Sequence, residues 1–410
     1  MSKLLATLRQ FVALAHAGRP GSTSCARYPL RLKFVSRSRG RSSPLGLLLV
    51  LLGAGCRPVL SAGPTGGATV VGRLNLAACM GGPVDADHDG LDDTCEAALA
   101  QEFAPIVIHS SAETNFPTDV DDFLASTALS FRDDACDAAD ALVTNAPDQD
   151  GLLRHTSVPK CGGGVVTSDG SRSERKHRTF FLGDVAEPVR RGNADSQRWT
   201  TYVHIYPSAQ GGVTLQYWRF YAFNEAFADH GGDWEGEHIV LRADGTVRAV
   251  RLLGHSSIDE LSPRELAWSG THPLVYSEIG SHTSRATGDR IAANGCIGGG
   301  ACDVTLDDAR TFVRQETWSG GNVSWPDGHV TSGGGLLNVG EKSAPMNGQS
   351  FIKYSGLWGS PGRFYITSGY WGPAFNETSM RADGFVTAWC AGMAGPLDQR
   401  TECWAATTER

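Results

Sequence analysis

Residues 85–96 read Asp-Ala-Asp-His-Asp-Gly-Leu-Asp-Asp-Thr-Cys-Glu, and no other stretch restricts the local fold so tightly. Oxygen-bearing side chains fall at loop positions 1, 3, 5, 9 and 12, with glycine at 6, the spacing that an EF-hand-type calcium loop requires. Alternation lets the carboxylates of Asp85, Asp87 and Asp89 converge on one point. Gly90 takes the sharp turn and Leu91 lends its carbonyl. Asp93 acts directly or through water, and Glu96 can close the site with both carboxylate oxygens. Hard, flexible oxygen ligands in that number suit Ca2+. The competing reading of the same residues is a solvated acidic turn.

The dodecapeptide is similar to the calcium loops of thrombospondin type 3 repeats and bacterial dockerins, which share Asp-x-Asp-x-Asp-Gly-Leu-x-Asp. A single copy leading into a globular region implies a structural clamp rather than a calcium sensor.

Asp85 is also the first acidic residue in the chain. Upstream lie scattered Lys and Arg residues, an apolar run from Leu45 to Leu52, and Gly53-Ala54-Gly55-Cys56. A basic stretch, a short apolar core and small residues make a secretory leader over 1–56. The apolar run is too short to span a bilayer. Small residues before Cys56 resemble a bacterial lipoprotein signal, which makes Cys56 a candidate lipid anchor; ordinary secretion is the alternative. Nine of the 36 Lys+Arg and none of the 44 Asp+Glu precede Cys56, so the remainder carries 27 basic against 44 acidic residues, a net −17. So acidic a chain has no basic stripe for a phosphate backbone, and nucleic acid is excluded as a partner.

Eight cysteines follow Cys56, an even number that reads as disulfides in an exported protein. Proximity in sequence favours Cys79–Cys95, Cys136–Cys161, Cys296–Cys302 and Cys390–Cys403. Residues 57–83, small and Gly/Pro-containing, read as a tether, and 84–104 as the calcium loop with its helix. That helix is expected over Asp92–Phe103 with Ala97, Ala98, Leu99 and Phe103 inward, stopped by Pro105. A second helix is expected over Asp119–Leu129, capped by Thr118. Beyond it the pattern is β. Thr200–Tyr206 and Val213–Phe223 alternate, and Asp244-Gly245 between apolar runs signals a type I′ hairpin. The fold class is mainly β: a single decorated β-sandwich over 105–410, with a few short helices and the calcium loop at its N-terminal side.

A second dense signal joins the aromatic run Leu215–Asn224 to His230-Gly231-Gly232-Asp233-Trp234-Glu235-Gly236-Glu237. In a strand from Asp233, the side chains of Asp233, Glu235 and Glu237 share one face, opposite Trp234 and His238. Carboxylates so placed need a cation or proton between them, and the two glycines let His230 fold back toward them. His230, Asp233 and Glu235 are therefore a candidate divalent-metal half-site for Ca2+, Mg2+ or Mn2+, with Glu237 and His282 as neighbours. The alternative is a polar strand end anchored by Trp234.

This segment resembles the vacuolar protein sorting-associated protein 62 family through Tyr-Trp-x-Phe-Tyr-x-Phe-Asn followed by His-x-Gly-Asp-Trp-Glu. The segments at 275–284, 338–341, 354–359 and 371–373 follow in the same order. That resemblance implies a fold without an established activity. A more distant one is to the necrosis- and ethylene-inducing-like proteins, secreted β-sandwich cytolysins whose heptapeptide Gly-His-Arg-His-Asp-Trp-Glu also follows an aromatic strand. It implies divalent-metal ligands at His230, Asp233 and Glu235. The chain departs from it at Gly232, where that family has a second histidine.

Three functions stand on these readings. One is an exported calcium-binding protein whose second metal face recognises a lipid headgroup or glycan at the cell surface. The second is a metal-dependent hydrolase using Glu237 or His282 as general base. The third is a membrane-damaging cytolysin.

Overall fold

The segments Thr200–Pro207, Val213–Asn224 and His230–Leu241 are buried along nearly their whole length rather than on alternate residues. The computed structural model describes residues 72, 74–133, 141–154, 157–159, 165–167, 178–183, 185–208, 211–225, 229–254, 257–287, 312–361 and 369–375. All belong to the unit Ala62–Arg410. The expected leader, Cys56, most of the expected tether and the cysteines at 136, 161, 296, 302, 390 and 403 lie outside the described residues.

In chain order the strands begin with β1 (Ile106–Ser110), β2 (Ala128–Asp133), β3 (Ala141–Asn145), β4 (Ser157–Pro159), β5 (Val165–Thr167) and β6 (Arg178–Gly183). Then come β7 (Thr200–Pro207), β8 (Val213–Asn224), β9 (His230–Leu241), β10 (Val247–Gly254), β11 (Ser257–Leu261), β12 (Trp268–Ser269) and β13 (His272–Ser277). The last are β14 (Ser284–Arg285), β15 (Phe312–Glu316), β16 (Asn322–Ser324), β17 (Val330–Ser332), β18 (Gly335–Asn338), β19 (Gly340–Glu341) and β20 (Ala344–Pro345).

Among the described residues, a six-stranded sheet runs β11-β10-β9-β8-β7-β18, antiparallel except for β18 beside β7. A second sheet runs β12-β13-β1-β15-β16-β17, with β14 on β13. A smaller sheet is β3-β2-β6. The fold is mainly β, as the alternating segments imply.

The six-stranded sheet has a core on each face. On one side Tyr202, Trp218, Phe220 and Trp234 pack with Phe123, Phe131, Phe180, Phe351 and Trp358. On the other, Val203, Ile205, Leu215, Tyr217 and Ile239 pack with Leu91, Leu99, Phe103 and Val275. Burial on both faces explains why polar residues in β7–β9 sit in the interior. A sequence pattern that alternates polar with apolar normally marks one wet face; here the polar positions are instead paired with one another.

Local chemistry sets the boundaries. Asp92, not part of the helix, caps Asp93–Phe103 by accepting from Thr94 and Cys95 N–H groups. Its buried stripe is Glu96, Leu99, Ala100 and Phe103, an i, i+3, i+4, i+7 set. Ala97 and Ala98, expected inward, are exposed, because the inward register is taken by Glu96. The second expected helix is shorter, Val120–Leu124, and its cap is Asp119 rather than Thr118. Leu129 lies in β2. The β9–β10 hairpin forms, but of its turn residues only Gly245 has positive φ, at 78°, so the turn is not type I′. Leu76–Cys79 is a short helix with Leu76 and Cys79 buried, and Cys79 is disulfide-bonded to Cys95.

Candidate metal centre

The loop folds by satisfying its own N–H groups with carboxylates. Asp85 accepts from the Asp89 and Gly90 N–H groups, each at 3.2 Å. Asp89 Oδ1 accepts from Leu91 N at 2.7 Å, and Asp93 accepts from Ala86 N at 3.1 Å. Two left-handed residues make the bends, His88 at φ 65° and Gly90 at φ 95°. Met80 pairs with Leu91 as an antiparallel bridge held by Gly81 N→Gly90 O and Asp92 N→Cys79 O. In such a pair the residue's own N–H and C=O point away from the partner strand. Leu91 thus turns both groups away from Met80, and its N–H meets Asp89.

Among the described residues, two groups of three His, Cys, Asp or Glu side chains bring ligand atoms within 4.8 Å of one another: Asp85, Asp87 and Asp89, and Asp87, Asp93 and Glu96. Both lie in this loop and share Asp87. Asp87 is 1% exposed and Glu96 0%. Both oxygens of Asp87, Oδ2 of Asp89 and Oε1 of Glu96 are buried without a hydrogen-bond partner. Burial pushes Asp87 up to about 6, Asp89 to about 7 and Glu96 to about 10, the charges of neighbouring carboxylates adding to it in each case. Buried carboxylate oxygens facing one another are costly unless a proton or cation lies among them. The two groups have the donors and spacing to hold a metal ion, and an oxygen-only set fits a hard cation.

The wall of this loop comes from the distant chain. Asn338, at the end of β18, donates Nδ2–H to Glu96 Oε2 at 2.7 Å. His204, in β7, places Nε2 3.2 Å from Glu341 Oε1 and Nδ1 3.1 Å from Gln216 Oε1. That amide oxygen also accepts from Trp218 Nε1 at 3.1 Å. Because indole N–H only donates, the Gln216 amide is fixed, and His204 Nδ1 must carry a proton. His204 lowers, and Glu341 raises, the proton affinity of Asp89.

The β9 residues are arranged differently. Alternation holds: Trp234 packs into the aromatic core, while Asp233 and Glu237 meet polar partners on the other face. Asp233 Oδ2 lies 2.9 Å from His282 Nδ1 and accepts from Asn224 Nδ2 at 3.2 Å. Glu237 forms a two-pronged pair with Arg219, at 2.6 and 2.9 Å, both side chains fully buried. Glu235 lies opposite Arg219 in the β8–β9 register and is buried. His230 is buried against Tyr370, its Nδ1 3.3 Å from Gly231 O. His230, Asp233 and Glu235 do not form one of the close ligand groups. Asp233 is engaged by Asn224 and His282. Gly232 shows why no histidine stands there: its φ is 63°, and a Cβ would lie 2.1 Å from the Trp358 carbonyl oxygen.

Sequence reading missed Asn338, His204 and Glu341, because nothing in the chain pattern links them to residues 85–96. Asp92, read from the sequence as the first helical residue, is the helix cap.

No family model matches the chain, and no curated protein does. The expected membership of the vacuolar protein sorting-associated protein 62 family finds no support there. Among solved structures, the chain is similar to Necrosis and Ethylene inducing Protein 2 from the causal agent of cocoa's witches' broom disease. Identity is 15%, over 48% of this chain and 70% of that one, with TM-score 0.26. It is also similar to a structure described as a toxin fold for microbial attack and plant defense, at 13% identity, 54% and 78% coverage, and TM-score 0.28. A third is NLPPya in complex with glucosamine, at 14% identity, 54% and 78% coverage, and TM-score 0.27. The likeness is distant and assigns neither site nor activity.

Proposed function

We propose that this chain is an exported calcium-binding β-sandwich protein in which Ca2+ at Asp85, Asp87, Asp89, Leu91, Asp93 and Glu96 clamps the helix Asp93–Phe103 against the six-stranded sheet. The observation that carries this reading is the set of partnerless carboxylate oxygens on Asp87 and Glu96, both buried. Leu91, Leu99 and Phe103 belong to the same core as Val203, Ile205 and Leu215. An ion that orders the loop therefore also orders the cover on one face of the sheet. The Cys79–Cys95 disulfide closes the same loop covalently, which suits an oxidising, calcium-rich compartment.

The work of the clamped domain is recognition, of a lipid headgroup or glycan at a cell surface. Recognition is favoured over hydrolysis by the state of the two expected bases. Glu237 is spent on Arg219, and His282 is fully buried and bonded to Asp233. A general base must reach the proton it abstracts. Titration calorimetry with Ca2+ on chelator-stripped protein tests the clamp; absence of binding at millimolar Ca2+ would refute it. Lipid and glycan arrays probed with and without Ca2+ test recognition, which fails if neither array retains the protein.

A further inference from the structure

We propose that Asn338 is a positioning residue of the calcium centre, aiming the carboxylate of Glu96 at the ion from the edge of the six-stranded sheet; this rests on the calcium reading above. Glu96 is a long, flexible side chain at loop position 12, and it is fully buried. One of its oxygens, Oε2, accepts from Asn338 Nδ2 at 2.7 Å. The other, Oε1, has no hydrogen-bond partner, and Glu96 shares a close ligand group with Asp87 and Asp93.

The orientation of the Asn338 amide is not free. Its Oδ1 accepts from Gly340 N at 3.0 Å, so the nitrogen is the end that must face Glu96. Asn347 Nδ2 donates to the Asn338 carbonyl at 2.8 Å, and Asn338 pairs with Val203 in the β18–β7 ladder. The amide is therefore held by β18, by the turn into β19 and by Asn347. Because it presents N–H rather than oxygen, it cannot ligate the ion through that end. It acts through Glu96, fixing which oxygen is offered and ordering the carboxylate before the ion arrives.

Loss of such an outer partner typically weakens metal affinity by roughly 10- to 100-fold. The test is Ca2+ titration calorimetry on the full chain carrying Asn338→Ala or Asn338→Ser, each alone and combined with Glu96→Gln. Serine keeps an oxygen that can accept from Gly340 N but cannot reach Glu96, so it decides the matter if the alanine variant fails to fold. Both single variants are expected to weaken Ca2+ binding about tenfold or more. Added to Glu96→Gln they should weaken it less than about twofold, because residues acting through one another are non-additive. A residue serving only the β18–β19 turn would instead lower the melting temperature in EDTA and leave the affinity of the folded protein unchanged. Single variants that bind within twofold of wild type, or an equal loss in both backgrounds, overturn the inference. Wild-type protein that binds no Ca2+ overturns the calcium reading and this inference together.

Discussion

His282 Nδ1 lies 2.9 Å from Asp233 Oδ2, and the imidazole lies flat on Tyr221 with ring centroids 3.8 Å apart. The contact ties the loop after β13 to the middle of β9, and His282 adopts φ 56° to make it. Its Nε2 is 3.9 Å from Glu113 Oε1, and Glu113 accepts from Thr114, Asn115 and Gly280 N–H groups. This is a clasp between loops built around buried charge. His282→Ala leaves Asp233 without its histidine partner, a loss of about 1–3 kcal/mol. The drop in melting temperature should be the same in EDTA and in Ca2+ or Mn2+. A drop seen only with metal present would instead support a metal site at Asp233.

Chelation should destabilise the protein through the loop. A ligand bound only by the folded state adds about 2.7 kcal/mol at a hundredfold excess over Kd. Asp87→Asn should remove most of that increment, since Asp87 belongs to both ligand groups. In EDTA the same variant should melt higher than wild type, because it deletes a buried carboxylate with no partner. Thermal melts of both proteins with and without Ca2+ check the crossing; parallel shifts would count against it.

The pH dependence of the metal-free protein has a definite sign. Burial raises Asp87 to about 6, Asp89 to about 7 and Glu96 to about 10. An acid with a raised folded-state pKa binds more protons when folded, so its contribution is present below roughly pH 4 and lost as pH rises through the folded value. In EDTA, stability should therefore fall from roughly pH 4 to 7 through Asp87 and Asp89, with Glu96 extending the slope to about pH 10. Ca2+ should flatten it by favouring the ionised carboxylates. Chemical denaturation across that range, with and without Ca2+, measures both slopes.

The Arg219–Glu237 pair should behave as a unit. Both side chains are fully buried, and Ser284 Oγ lies 3.2 Å from each. Arg219→Met alone strands a buried carboxylate and should cost about 3–5 kcal/mol. Adding Glu237→Leu should recover much of that, because a matched apolar pair avoids the desolvation cost. A double-mutant cycle by urea denaturation gives the coupling; additive losses would mean the two charges act separately.

Much of the candidate site was readable in the chain because it is local. Twelve consecutive residues carry the acidic side chains that could hold a metal ion, and Gly90 at position 6 supplies the turn. The β9 alternation was equally local, since successive strand side chains must point to opposite faces. What those faces meet was not local. A strand pattern gives the direction of Asp233, Glu235 and Glu237 and not their partners. Asn224 and His282 reach Asp233, and Arg219 reaches Glu237.

The sequence by itself determined the acidic loop, the helix that leaves it, and a mainly β body with a turn at Asp244-Gly245. Each follows from constraints within about a dozen residues: ligand spacing, backbone freedom at glycine and side-chain alternation. Only the tertiary structure decided that the central sheet is buried on both faces, that Gly232 packs too closely on Trp358 for any side chain, and that Asn338 closes on Glu96 across 242 positions. Those contacts depend on which strands pair and which loops are brought together. Strand pairing is a property of the whole chain, and no local pattern encodes it.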